Sequence, residues 1–183
     1  MKKIFKIAKW FFLIFGGVSF VGALLLGGIL LYSATLGNRD KTEFASKKDV
    51  QFVLNRCGLS DKQIVEVIHS HESARSFTGD HIDAYAIKIS DLSLDEVTKP
   101  PRRGALRSWH RVDQVSGIQE DALNFMKGWL HYIPWFPPLE TIRSDQFYMC
   151  LLKIAYPGDR PNSLVVVFVQ PKDNMVFYFS GKL

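Results

Sequence analysis

An uncharged run from Trp10 to Tyr32 constrains this chain more than any other feature of its sequence. Its 23 residues include no Asp, Glu, Lys, Arg or Pro. A helix rises about 1.5 Å per residue, so a helix of this length reaches roughly 34 Å and exceeds the hydrocarbon core of about 30 Å of a bilayer. A helix inside a protein core is rarely apolar on every face over such a length. The run therefore predicts a transmembrane anchor.

Positive charge is concentrated before this run. Lys2, Lys3, Lys6 and Lys9 precede it, and the other 19 Lys and Arg residues nearly balance the 18 Asp and Glu residues. Flanks rich in lysine tend to stay in the cytoplasm, so the N-terminus is expected inside and the C-terminal part outside. The nearly neutral remainder does not indicate a nucleic-acid partner, because such binding usually needs a basic face.

The anchor is expected to be retained rather than cleaved. Secretory signals carry an apolar segment of about 7–15 residues, and this run is longer. The nearest small-residue cleavage pattern also has Tyr32 where a small side chain is required. The prediction is a single-pass protein of the cell inner (cytoplasmic) membrane. Its expected parts are a cytoplasmic basic flank (1–9), the anchor (10–32), a tether (33–46) and an extracytoplasmic domain (47–183).

Small residues recur along one face of the anchor. Ser19, Ala23 and Gly27 are spaced four residues apart, and such a seam lets membrane helices approach closely. Self-association through this face is one interpretation. The other is that glycine is simply common in membrane helices, since further glycines lie on other faces.

Helical periodicity and capping patterns predict the helices of the domain. They are expected at about residues 47–56, 91–98 and 118–133. Capping boxes precede the first and the last, Ser46 with Asp49 and Ser116 with Gln119. Gly58 fits the position after the first helix, where a left-handed conformation is common.

Five segments rich in β-branched and aromatic residues predict strands. They are residues 63–71, 82–90, 147–156, 164–170 and 175–180. The short links between the last three require antiparallel neighbours. The expected fold class is α+β: one N-terminal transmembrane helix, then a small domain with an antiparallel sheet of about five strands. Two or three helices are expected to pack against the sheet and cover one face.

Cys57 and Cys150 are the only cysteines of the chain, and both follow the anchor. Each is in phase with the apolar positions of its element, so both thiols are expected to point toward one core. In an oxidising compartment they could form a disulfide, and otherwise they pack as small hydrophobic groups. Without a Cys-x-x-Cys spacing, a redox role is not indicated.

Histidines mark a candidate metal site. His69 and His71 lie two apart in a predicted strand, so their imidazoles share a face, and His81 or Asp83 comes from the partner strand. This is the donor set of a divalent-metal site. The alternative is that the histidines are half-exposed at a strand end. The His-Glu-x-x-His motif is absent, because Arg75 stands four positions after His71.

Two loops and one cluster carry candidate binding residues. In the loop 72–81, Arg75 suits an acidic group and Phe77 suits a partner surface. The loop 99–112 contributes Arg102, Arg103, Arg107 and Trp109, which suit lipid phosphate or an acidic partner. For these loops the alternatives are a plain hairpin connection and a solvated surface. Trp129, Tyr132, Trp135 and Phe136 either cap the core or form an exposed docking patch or a membrane-interface belt.

No catalytic motif or phosphate-binding glycine loop occurs in the sequence, and no cofactor is expected. An enzyme is therefore the less favoured interpretation. The expected function is a membrane-anchored, extracytoplasmic module that binds an unidentified protein, such as an immunity-type or envelope accessory protein. The alternative is an anchored metal-binding protein or metal-dependent hydrolase that uses His69, His71 and His81.

Overall fold

The chain forms two compact units, Met1–Arg39 and Asp40–Leu183, each of which is described by itself. The computed structural model describes residues 2–35, 45–76, 78–98 and 108–183, and in the first range it describes side chains at residues 10 and 15–31. The first unit contains the helix α1 (Lys2–Thr35). Within the residues that the structure describes, no helix is long and apolar enough to cross a membrane. The anchor at residues 10–32 stays a sequence-based prediction.

The second unit is an α+β domain built on an antiparallel sheet, as predicted, but the sheet has six strands rather than five. They are β1 (Ile64–Glu72), β2 (His81–Ile89), β3 (Trp109–Arg111), β4 (Tyr148–Ala155), β5 (Ser163–Gln170) and β6 (Met175–Lys182). Their order across the sheet is β1-β2-β6-β5-β4-β3. The hairpin β1–β2 therefore joins the meander β4–β5–β6 through pairing of β2 with β6.

The additional strand, β3, lies in a segment predicted to be a loop. It pairs with the start of β4, where Trp109 is opposite Cys150. The sequence did not predict this strand, because three residues are too few for a periodic signal. The proline pair and the arginines nearby are also typical of a loop. Its pairing depends on an edge that β4 provides only in the folded domain.

Helices cover both faces of the sheet, so the expectation of one covered face is wrong. The domain helices within the described residues are α2 (Lys47–Cys57), α3 (Leu94–Thr98), α4 (Ile118–Lys127) and α5 (Leu139–Ile142). On the face that we call the α2 face, Val53, Leu54 and Val97 pack against the sheet. On the opposite α4 face, Leu123, Met126 and Ile142 do the same.

Coverage of both faces explains why the sequence of β2 does not alternate regularly between polar and apolar residues. Its residues from Ile82 to Ile87 are all buried, with Ala84 and Ala86 on the α4 face and Tyr85 and Ile87 on the α2 face. A strand buried on both sides shows no alternation of polar and apolar residues. Burial of each large apolar side chain contributes about 1.5–3 kcal/mol, so two such layers supply most of the stabilisation.

The predicted start of α2 is confirmed. The backbone N–H of Asp49 donates to the Ser46 hydroxyl at 3.3 Å, and the N–H of Ser46 donates to the Asp49 carboxylate at 2.9 Å. This is a reciprocal capping box. Gly58 ends the helix with φ of 84°, which is costly for a residue with a Cβ atom.

The helix α4 begins at Ile118 as predicted, but its predicted capping box and its predicted end are wrong. Gly117 occupies the N-cap position and no side chain caps the helix, so Ser116 and Gln119 form no capping box. The helix ends at Lys127 rather than Ile133, because Gly128 disfavours its continuation. A 3₁₀ turn at Leu130–Tyr132 follows, within the range predicted to be helical.

Candidate functional site

A cleft of about 430 Å³ opens at the end of the β1–β2 hairpin. Its described lining comes from the end of β1 and the loop after it, from the start of β2, and from the segment that follows α4. The lining residues are His71, Ser73, Ala74, Asp80, His81, Ile82, Trp129 and Tyr132. Its volume lies within the range of about 300–1,000 Å³ that is typical of ligand sites.

Side-chain hydrogen bonds hold the loop on one side of the cleft. The hydroxyl of Thr78 donates to Asp80 Oδ2 at 2.5 Å, and the Asp80 backbone N–H donates to the Ser76 hydroxyl at 2.8 Å. Gly79 has φ of 82°, which glycine adopts at little cost. The bond from Thr78 lowers the pKa of the Asp80 carboxyl. Asp80 therefore presents a negative charge to the cleft at neutral pH.

Aromatic rings form another part of the cleft lining. The ring centroids of Trp129 and Tyr132 are 6.1 Å apart, and Tyr132 also contacts the His131 ring at 3.7 Å. Tyr132 is 56% exposed, whereas Trp129 is half-buried and packs against Phe125. This part of the lining is thus an aromatic surface that is open to solvent at Tyr132.

A buried polar group lies next to the cleft on the α2 face. His81 Nδ1 is 2.8 Å from the Gly79 carbonyl oxygen, and its Nε2 is 3.4 Å from the Ser180 hydroxyl and 3.8 Å from Asp83 Oδ2. Arg75 donates to the same Asp83 oxygen at 2.8 Å. Ser180 and Asp83 are each less than a tenth exposed.

This group contains Ser, His and Asp, yet its geometry differs from that of a hydrolase triad. In a triad the serine and the carboxylate contact opposite nitrogens of the imidazole. Here Ser180 and Asp83 both lie near Nε2 of His81, and Nδ1 faces a backbone carbonyl. Asp83 therefore does not orient the ring for proton transfer from Ser180, and the arrangement gives acyl transfer no support.

Two stacked tyrosines extend this group toward α2. The Tyr85 hydroxyl donates to Glu72 Oε1 at 2.7 Å, and the rings of Tyr85 and Tyr178 lie 5.5 Å apart. Burial raises the pKa of both phenols, so both stay neutral at physiological pH. Phe52 packs edge-on against both rings. The tyrosines therefore join α2 to the end of the sheet that carries the cleft.

The structure does not bring together His69, His71 and His81, the three predicted metal ligands. His69 and His71 pair with Ala86 and Ala84 and so lie on the α4 face, whereas the register of β2 places His81 on the α2 face. His69 stacks on Trp135 at 5.1 Å. Among the residues that the structure describes, no group of three His, Cys, Asp or Glu side chains is arranged to hold a metal ion.

Of the other candidate binding residues, two lie in the part of the chain that the structure describes. Arg75 pairs with Asp83 beside the cleft, and Trp109 packs half-buried against the core of the α2 face. The remaining candidates lie outside the described residues: Phe77, Arg102, Arg103 and Arg107.

Cys57 and Cys150 are both buried in the core of the α2 face. The structure holds them as thiols, and the Cys57 thiol donates to the Leu54 carbonyl oxygen at 3.5 Å. The disulfide that the sequence left open as one alternative is not tested.

The sequence identified segments that line the cleft, but it did not show that these segments come together in the fold. The loop with Asp80 and the segment with Trp129 and Tyr132 are about 50 residues apart in the chain. The aromatic cluster itself divides, since Phe136 is buried in the core while Tyr132 is exposed. No local pattern could indicate which of these aromatic rings faces solvent.

Fold and site together define an α+β domain with a six-stranded antiparallel sheet between two helical layers and an aromatic cleft at one hairpin. Comparison of the chain with protein-family models, curated proteins and solved structures found no match.

Proposed function

We propose that this protein is a membrane-anchored, extracytoplasmic and non-enzymatic module that binds a protein partner through the cleft at the β1–β2 hairpin. The observation that carries the proposal is the cleft itself. It combines an open aromatic wall at Trp129 and Tyr132 with a loop in which Thr78 donates a hydrogen bond to Asp80. Exposed aromatic side chains on a rigid support are typical of binding sites, because they bury a large area at a low cost in conformational entropy.

The sequence supports the proposed location in the membrane. Residues 10–32 carry no charge, and four lysines precede them. The described apolar side chains of α1 are largely exposed within their unit, with Phe15 at 65% and Leu31 at 66%. Side chains of this kind are unfavourable in water and favourable in hydrocarbon.

Site-specific photo-crosslinking tests the partner. A photoreactive phenylalanine analogue replaces Tyr132 in the full-length chain, expressed in its native cells. We expect a discrete cross-linked product, because this ring projects into the cleft opening. The matched control places the analogue at Tyr156, an exposed tyrosine that does not line the cleft. Equal products at both positions, or none at Tyr132, would contradict a partner at this cleft.

Fusion reporters test the proposed membrane topology independently of the cross-linking experiment. Alkaline phosphatase, which folds only outside the cytoplasm, and green fluorescent protein, which fluoresces inside, are each joined after Leu183. We expect phosphatase activity in the membrane fraction and no fluorescence. Fluorescence in a soluble fraction would refute the predicted topology, while the cross-linking result would still decide whether the cleft binds a partner.

A further inference from the structure

The exposed side of α2 carries positive charge along its length. Lys47 and Lys48 are exposed at its start, and Arg56 is exposed near its end, with its guanidinium 5.2 Å from the centre of the Phe52 ring. Asp49 is the one acidic residue of this helix, and its carboxylate accepts from the Ser46 backbone N–H at 2.9 Å. Three cationic side chains therefore share this side with one carboxylate that belongs to the helix cap.

The stability of the helix does not explain its two lysines. They occupy the first two positions of α2, where the helix dipole disfavours a positive charge. Neither lysine forms a salt bridge with any residue that the structure describes. Their charge therefore remains available to an anionic surface outside the domain.

The other domain helices that are described have the opposite charge at their start. Their first turns carry acidic residues: Asp95 and Glu96 in α3, Glu120 and Asp121 in α4, and Glu140 in α5. Among these helices, α2 alone begins with basic residues. An anionic surface is therefore expected to approach the domain at α2.

The length of the chain keeps α2 within reach of any membrane that holds residues 10–32. Lys47 follows Tyr32, the last residue of the uncharged run, by 15 residues. A fully extended chain of this length spans at most about 54 Å. Contact between the lysines and the bilayer is thus intramolecular in effect, so individually weak contacts suffice to hold the domain at the surface.

We propose that the exposed side of α2 docks on anionic phospholipid headgroups, with Lys47, Lys48 and Arg56 as its contacts. Ammonium and guanidinium groups both bind phosphate oxygens. This inference rests on the membrane anchor of the function proposed above. It adds a second site, separate from the cleft, whose described lining includes no residue of α2. Docking through α2 holds the domain in one orientation at the bilayer.

Energy transfer from the full-length chain to labelled lipid tests the proposal. A donor dye is attached at Asn55→Cys, on the exposed side of α2, and the chain is placed in nanodiscs that carry an acceptor dye on their headgroups. The matched control carries the donor at Asn124→Cys, an exposed position of α4. The native Cys57 and Cys150 are buried, so labelling of the native chain serves as the blank.

Two kinds of nanodisc are compared, phosphatidylcholine alone and equal parts of phosphatidylcholine and phosphatidylglycerol. We expect transfer from position 55 to be higher in the anionic discs, and transfer from position 124 not to rise. High salt should remove the difference, because ions screen the attraction between exposed charges.

Charge variants assign the effect to the lysines. Lys47→Gln combined with Lys48→Gln is expected to lower the ratio of docked to undocked protein about 25-fold, or about fivefold for each lysine. Lys127→Gln combined with Lys172→Gln removes two exposed lysines elsewhere and should leave transfer unchanged. Thermal unfolding should show no loss of stability in the first double variant, because its lysines oppose the helix dipole. A purely structural role of these lysines predicts such a loss.

Three outcomes would overturn the inference: equal transfer from position 55 in both kinds of disc, an unchanged increase in the double variant at the start of α2, or equal increases at both labelled positions. Any of these, together with a cross-linked partner at Tyr132 and the expected fusion reporters, would refute this inference alone. Failure of the full-length chain to enter nanodiscs would instead refute the anchor, and the proposed function with it.

Discussion

At the scale of one residue, the hydroxyl of Thr78 has a defined role in the loop at the cleft. Thr78 donates to the Asp80 carboxylate and lowers its pKa below the ordinary value of 3.8. A lowered pKa in the folded state stabilises the fold at pH values above the ordinary pKa. This contribution is lost as pH falls through the lowered folded-state value.

We therefore predict that Thr78→Val raises the pKa of Asp80 toward its ordinary value. The measurement is an NMR titration of the carboxyl carbon of Asp80 between pH 2 and 6. Thr78→Ser keeps the hydroxyl and should keep the low pKa. A titration curve unchanged by the valine substitution would show that another group controls this carboxylate.

The phenol of Tyr85 is a second residue with a defined role. Its hydroxyl donates to Glu72 at 2.7 Å in a partly buried site. We predict that Tyr85→Phe lowers the free energy of unfolding by about 1 kcal/mol, because Glu72 loses its donor where water is largely excluded. Tyr156→Phe removes a similar bond, to Asp121, at an exposed position and should cost less because water replaces it. Denaturant unfolding of both variants decides the comparison.

At the scale of the elements, the two capping-box patterns make opposite predictions. Ser46 caps α2 with a side-chain hydrogen bond, whereas Ser116 lies before an N-cap glycine and caps nothing. Ser46→Ala should therefore lower the free energy of unfolding by about 1 kcal/mol, and Ser116→Ala should change it little. Thermal or denaturant unfolding measures both. A loss of stability in the Ser116 variant would mean that α4 begins one residue earlier in solution.

Long strands rich in β-branched and aromatic residues were predicted well, and very short elements were not. All five predicted strands occur within a few residues of their expected bounds, because each is long and rich in β-branched or aromatic residues. The strand Trp109–Arg111 and the helix Leu139–Ile142 were missed, because three or four residues show no period. They form because the completed sheet offers an edge and an apolar face to them.

At the scale of the whole molecule, the reactivity of the two cysteines tests whether the core between α2 and β4 is closed to solvent. Both are buried in one cluster and are held as thiols. We predict that neither reacts with a thiol reagent in the native full-length chain and that both react after denaturation without a reductant. A disulfide would instead leave no reactive thiol after denaturation and would lower the mass by about two daltons. Mass spectrometry of the labelled chain distinguishes the two results.

The sequence by itself determined the local properties of this protein. They are an uncharged run that suits a membrane, the capping box at Ser46, the strands with strong propensity and the antiparallel order of the closing meander. These depend on residues close together in the chain, so a pattern can express them.

The tertiary structure alone decided which side chains meet. It covered both faces of the sheet, placed His81 on the face opposite His69 and His71, and brought Asp80 to the same cleft as Trp129 and Tyr132. The physical reason is that these contacts depend on strand register and on packing between segments distant in the chain. Residue propensities and motif spacing in the sequence carry no information about strand register or about packing between distant segments.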